Sequence, residues 1–307
     1  MTREPLHPRF PGYFADPFVL PVGDGFLAYG TPDPDPGLGL RTVSALRSAD
    51  LLHWSLVGQV LNGVPATLGS DVWAPEVAFV DGAYWMYFSV GRGIDGHHLR
   101  VARATRADGP FHDLGIDLTP NERFAIDAHP FQDLGGTWYL FFAHDVLDTT
   151  RPGTHLAVSR MRSMTELEPA VEVLSPDSDW QLFEASREIY GITTDWWTLE
   201  GPSVIRRDGR YVLFFSGGSW KGAGYGVSFA VADHPLGPWA HVPTARADVL
   251  STAIAEVPGP GHNSIISGPR DTRLIAFHAW NAALTARQLY VEQLDWDGLR
   301  PSLHRPL

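Results

Sequence analysis

One paragraph of sequence recurs five times along these 307 residues. Each copy begins with an acid or a histidine near Pro or Gly. It continues as a short apolar strand, turns at a polar corner and returns as a strand rich in aromatics. A third strand of alternating pattern and a short fourth strand close the unit. The copies open at ADPFVLPVGDGFLAYGT, WAPEVAFVDGAYWMYFSV, IDAHPFQDLGGTWYLFFAHD, EGPSVIRRDGRYVLFFSGG and GHNSIISGPRDTRLIAFHAW. Their turns are Gly23-Asp24-Gly25, Asp81-Gly82, Gly135-Gly136, Asp208-Gly209 and Pro269-Arg270-Asp271. All but the last carry Gly, as tight hairpins with positive φ require. Repeats of about 50–70 residues with four strands each describe propeller blades. A blade buries its faces only against its neighbours, so such a ring must close to be stable. A β-sandwich would not repeat one four-strand unit five times. The expected fold is all-β: a five-bladed β-propeller with four antiparallel strands per blade, one domain over residues 1–307. The short arm Met1–Pro11 is expected along the surface or at the closure of the first and last blades. Helical periodicity is confined to a hint at Arg162–Ala170.

The repeat also gathers side chains. The first strand of each blade lines the axis, so residues at its start meet at one mouth. Here they are Asp16, Trp73 to Glu76, Asp127, Glu200 and His262. An Asp before Pro often only caps a turn, but a cap has no reason to recur at one place in successive blades. Three carboxylates and an imidazole are thereby brought to one cavity.

Charge narrows the partner. The formal net charge is −12, and there is no basic stripe of the kind nucleic acid requires. An acidic polymer would be repelled, whereas a neutral carbohydrate is compatible. The 11 Trp suit both sheet-to-sheet cores and stacking on flat ligands such as sugars. The absence of Cys excludes disulfides and thiolate metal sites. No apolar leader is visible and no apolar run approaches membrane-spanning length, so a cytoplasmic location without a membrane partner is expected.

Five motifs, one per blade, resemble glycoside hydrolase family 43: ADPF around Asp16, SDVWAPEV around Trp73, AIDAHPF around Asp127, LEGPS around Glu200 and GPGHNSI around His262. The closing RQLYVEQLDWDG resembles that family's last blade, and the similarity runs from Tyr13 to Leu299. The resemblance implies a five-bladed propeller acting on arabinosides or xylosides by an inverting mechanism. It implies Asp16 as general base, Glu200 as general acid and Asp127 as a third acid that tunes and orients Glu200. It implies Trp73 beside the bound sugar and Arg287 approaching it. It also implies a hydrated structural ion, calcium or another, near His262, with no cofactor required for the chemistry.

Inversion needs a protonated acid on the leaving oxygen and an ionised one on the opposite face, the carboxyls roughly 6.5–9.5 Å apart. Glu200 must therefore have a raised pKa, which a neighbouring ionised Asp127 and apolar walls would provide, while Asp16 must stay ionised. Ser216, at the end of YVLFFS, is a candidate hydrogen-bond donor near Glu200. Phe14, with Tyr13, is a candidate pocket wall or closes the ring. Adjacent side chains of an extended segment face opposite ways, so one of Trp196 and Trp197 can face the site; Trp196 is the candidate wall of the leaving-group subsite. The insertion Ser175–Trp197 is placed to narrow the cleft. Glu76 reads as structural.

The expected function is an inverting, exo-acting hydrolase that releases terminal α-L-arabinofuranose from neutral arabino- or arabinoxylo-oligosaccharides. The alternatives are a β-D-xylosidase or an arabinanase on the same site. Outside that class stand a non-catalytic carbohydrate-binding propeller, which the presence of all three acids argues against, and a WD or kelch interaction propeller, whose repeats carry other signatures.

Overall fold

In a computed structural model that describes residues 5–33, 42–268 and 272–305, the chain forms a five-bladed β-propeller. The innermost strands are Ala15–Val22, Asp71–Val80, Ala125–Gln132, Ile192–Arg207 and Gly261–Ser267. Each pairs antiparallel with the next strand in sequence. Both turn residues of Asp81-Gly82 and of Asp208-Gly209 have positive φ, as a two-residue hairpin of right-handed twist demands. The turn at Pro269-Arg270-Asp271 lies outside the described residues.

Burial follows the ring. The large apolar clusters each sit between two adjacent blades. Tyr29 and Phe88 share the first interface, Tyr87 and Phe142 the second, Phe141 and Phe215 the third, Phe214 and Phe277 the fourth. Phe14, Trp54 and Leu289 fill the fifth, where the last blade meets the first. The N-terminal arm seals that seam. Arg9 N–H donates to Leu289 O (2.7 Å), its guanidinium to Val291 O (3.1 Å) and Glu292 (3.0 Å), and Phe14 N–H donates to Arg287 O (2.8 Å).

The blades are not identical. Leu61–Asn62 pairs in parallel with Phe111–Asp117, so the chain touches the outer edge of the second blade before entering its inner strand. In the fourth blade the outermost strand is reduced to two isolated bridges, Val231↔Ala240 and Val227↔Leu250. Arg162–Ala170 is not helical: the strand Gly153–Ser163 runs through Arg162, and the chain turns back so that Met161 pairs with Leu167. The insertion before Glu200 is a β-hairpin, Leu182–Ile189 against the first half of Ile192–Arg207. One continuous strand thus begins as the arm of a hairpin and ends as the inner strand of the fourth blade.

Candidate active site

Every inner strand is broken at one place. The pairing register slips between Ala15 and Phe18, Trp73 and Glu76, Ile126 and His129, Glu200 and Ser203, and Gly261 and Ser264. Within each slip one residue has positive φ: Asp16 (51°), Ala74 (47°), Asp127 (61°), Gly201 (56°) and His262 (46°). These are β-bulges, which re-aim a side chain out of the strand's alternation. Non-glycine residues rarely adopt this conformation, and clusters of such strain belong to functional sites. Asp16, Asp127 and His262 are therefore equivalent in the ring. Glu200 is not: it stands one residue earlier, in register with Ala15 and Trp73, and the bulge position of its blade is Gly201. A Cβ on Gly201 would stand 3.2 Å from the His262 ring.

The bulges face a cavity of about 530 Å³ lined by Asp16, Asp127, Glu200 and His262. Asp16 accepts from the Thr31 hydroxyl (2.5 Å) and from Arg287 (3.2 Å), whose guanidinium also donates to the Tyr13 hydroxyl (2.7 Å). Burial alone would raise its pKa, but the Arg287 charge reverses this and holds it well below the usual carboxylate range. The Asp16 N–H donates to Nδ1 of His278 (3.1 Å). His278 can accept because burial lowers its pKa to about 4 and keeps the ring neutral.

Glu200 is the opposite case. Burial, with the charge of Asp16, raises its pKa to about 7 although the Tyr225 hydroxyl donates to Oε1 (2.6 Å). Asp127 accepts the Gly201 N–H at Oδ2 (2.9 Å), and burial, then Glu200 and Asp16, push its pKa up. The Asp127–Glu200 pair thus retains a proton to near neutrality, while Asp16 beside it stays ionised. His262 Nδ1 lies 3.6 Å from Asp16 and 3.8 Å from Asp127, and burial lowers its pKa. Among the described residues no three His, Asp or Glu side chains converge on a metal position.

Trp73, Arg287 and Trp196 line the same cavity. Trp73 stacks on His97 (3.8 Å, 18°). Trp196 faces inward from the hairpin with Arg187 over its ring (5.3 Å), and its neighbour Trp197 packs under Arg151 on the other side. Two expected site residues do not reach the cavity. Phe14 is fully buried in the seam between the last and first blades. Ser216 is equally buried, and its hydroxyl accepts the His262 N–H (2.8 Å) rather than facing a ligand. Glu76 is structural, bound to His129 (2.7 Å), whose other nitrogen accepts the Val204 N–H (2.9 Å).

Sequence reading missed Tyr225 and His278, which hold Glu200 and Asp16. It also missed Asp145, a fourth carboxylate on the cavity wall, and the tryptophans Trp220 and Trp280 that stack at its rim (6.4 Å, 17°). The one available signal was register: His278 sits opposite Gly261, as Thr31 does opposite Ala15.

Residues 6–299 match the glycosyl hydrolases family 43. Over 306 aligned residues the chain is 30% identical to a β-D-galactofuranosidase of Aspergillus niger, covering 94% of this chain and 80% of that protein. It is 26% identical over 283 residues to an extracellular exo-α-(1→5)-L-arabinofuranosidase of Streptomyces avermitilis, covering 87% of this chain and 54% of that protein. The chain thus spans about half the length of the Streptomyces relative. A crystal structure of a thermostable family-43 glycoside hydrolase superposes with a TM-score of 0.79 at 24% identity, over 100% of this chain and 96% of that one.

Proposed function

The chain belongs to glycosyl hydrolase family 43, and from that premise we propose that it is an inverting, exo-acting hydrolase of terminal α-L-arabinofuranosides in neutral oligosaccharides. The observation that carries this reading is the split in proton affinity within one cavity. Asp16 is held low by Arg287, and Glu200 is raised to about 7. Two carboxyls whose environments push their pKa values apart are the signature of an acid and a base.

In the proposed reaction Glu200 gives its proton to the glycosidic oxygen as the bond from that oxygen to the anomeric carbon breaks. Asp16 takes a proton from a water that attacks the opposite face of the same carbon. The products are a free alcohol and a sugar of inverted configuration. Asp16 ends protonated and Glu200 ionised, and one proton exchanged with solvent restores both. Asp127 orients Glu200 through Gly201 and shares its proton. Trp73, Trp196 and Arg287 contact the sugar or its leaving group. An ion near His262 would be held by one imidazole nitrogen and water, and no step above uses it.

A second reading has its own support. The Aspergillus niger relative is named a β-D-galactofuranosidase. α-L-Arabinofuranose and β-D-galactofuranose share the configuration of the ring and differ by one exocyclic CHOH group. One pocket shape therefore serves both, and depth beyond the ring's C4 decides between them.

The test is a panel of nitrophenyl α-L-arabinofuranoside, β-D-galactofuranoside and β-D-xyloside with arabino-oligosaccharides, read with proton NMR of the first-formed anomer. Fastest turnover of the arabinofuranoside with inversion supports the reading; retention of configuration would sink it. Glu200→Ala should lose the oligosaccharides yet keep much of its rate on activated leaving groups, which need less protonation.

A further inference from the structure

The bulges are linked into a ring by hydrogen bonds, and the ring has one irregular link. The backbone N–H of each bulge residue points at the preceding blade. Ala74 N–H donates to the Thr31 hydroxyl (2.9 Å), Asp127 N–H to Ser89 (3.1 Å), His262 N–H to Ser216 (2.8 Å) and Asp16 N–H to His278 (3.1 Å). The four acceptors hold one register position. On the second strand of their blade they sit opposite the residue that precedes the bulge: Thr31 opposite Ala15, Ser89 opposite Trp73, Ser216 opposite Glu200 and His278 opposite Gly261.

In the third blade that position, opposite Ile126, is Ala143. Alanine has no acceptor, so the Gly201 N–H of the fourth blade has no partner of the usual kind. It is a buried donor, and leaving it unmade costs about 1–3 kcal/mol. Its partner is instead Oδ2 of Asp127 (2.9 Å). We infer that Ala143 is a positioning residue: by withholding an acceptor from the ring, it leaves the Gly201 N–H to fix the Asp127 carboxylate beside Glu200.

The consequence is specific. Asp127 is the one site carboxylate held by the backbone that follows Glu200, so carboxylate and acid move as one unit. A hydroxyl at position 143 would compete for the Gly201 N–H, since Ser89 and Ser216 in the same register accept the bulge N–H of the blade that follows them. Serine occupies the equivalent register twice, at Ser89 and Ser216.

This inference rests on the reading of Asp127 as a working member of the site. The experiment is Ala143→Ser in the full chain, with Ala143→Cys as a variant of similar size whose sulfur is a weak acceptor. Ala143→Ser should fold, lower kcat about 10-fold with little change in KM, and move the alkaline limb of the pH–rate profile. Ala143→Cys should keep several-fold more activity than Ala143→Ser. In an Asp127→Asn background, assayed on an activated aryl glycoside, the serine should have no further effect. A folded Ala143→Ser enzyme with wild-type kcat and pH profile overturns the inference, as does an equal loss from serine and cysteine, which would make the effect steric. Full activity of Asp127→Asn alone would overturn the functional reading itself.

Discussion

The Tyr225 hydroxyl donates a 2.6 Å hydrogen bond to Oε1 of Glu200; the tyrosine is buried and the carboxyl half-buried on the cavity wall. The bond favours the ionised carboxylate and so opposes the burial that raises Glu200. Tyr225→Phe should therefore raise the pKa of Glu200 further and carry the alkaline limb of kcat/KM to higher pH. It also frees the carboxyl to rotate. A hydrogen bond to a charged group is worth about 1.5–3 kcal/mol, so kcat/KM at the optimum should fall about 10- to 100-fold. An alkaline limb that stays in place would refute the assignment of Glu200 as the titrating acid.

Arg287 sets the other limb. Its guanidinium touches Asp16 at 3.2 Å and is the charge that overcomes desolvation there. In Arg287→Met burial would dominate, the Asp16 pKa would rise, and the base would be lost to protonation at a higher pH than in the wild type. The acid limb of kcat/KM should move upward while the alkaline limb moves less. Loss of activity at the optimum should be about 10-fold or more, since a charge-assisted hydrogen bond is removed as well. Equal displacement of both limbs would count against Asp16 as the base.

How much of this was legible in the sequence depends on which residues repeat. Asp16, Asp127 and His262 share one register, and five-fold repetition exposes a register even when each motif is weak. Glu200 resembled them but belongs one residue earlier; aligning Gly201-Pro202 with Asp16-Pro17 would have revealed it. Of the two readings of Phe14, pocket wall or ring closure, the second holds, and Ser216 turns to the next blade rather than to the cavity, because in a propeller both faces of a strand are covered by neighbouring blades. Trp73 and Arg287 line the cavity. Tyr225 gave no signal, since its segment SGGSWKGAGYG has neither strand nor helix periodicity and only the closed ring carries it to Glu200.

Gly261 is what admits Tyr225 to that place. It occupies the register of Glu200 in the last blade, and a Cβ there would overlap the Tyr225 ring. Its φ is not positive, so the cost of a side chain is steric rather than conformational. Gly261→Ala should destabilise by about 1–3 kcal/mol, as overpacking does, and reproduce the pH shift of Tyr225→Phe because the hydroxyl is displaced. Thermal unfolding of Gly261→Ala, Tyr225→Ala and the double variant checks this. The alanine at 261 should cost little once the ring is gone, and additive losses would rule out the overlap as cause.

Asp145 fastens the hairpin that carries Trp196. Its carboxylate accepts from the Tyr190 hydroxyl at the hairpin's tip (2.5 Å) and from Thr154 (3.2 Å), and burial raises its pKa from 3.8 to about 6. A carboxyl raised in the folded state contributes stability fully present below pH 3.8 and lost as pH rises through 6. Between pH 7.5 and 5 the wild type should therefore gain about 1 kcal/mol from this group. Asp145→Asn keeps an acceptor for Tyr190 without the charge and should lose that increment. The measurement is the difference in unfolding free energy between wild type and Asp145→Asn at the two pH values. The wild type also carries the raised Glu200 and Asp127, but these are common to both proteins and cancel. An identical pH dependence in the two would mean that Asp145 is not the buried charge beneath the hairpin. If the increment is found, KM for oligosaccharides should fall as pH drops from 7.5 toward 5 in the wild type, because the wall bearing Trp196 and Arg187 tightens, and Asp145→Asn should show a flatter KM over the same range.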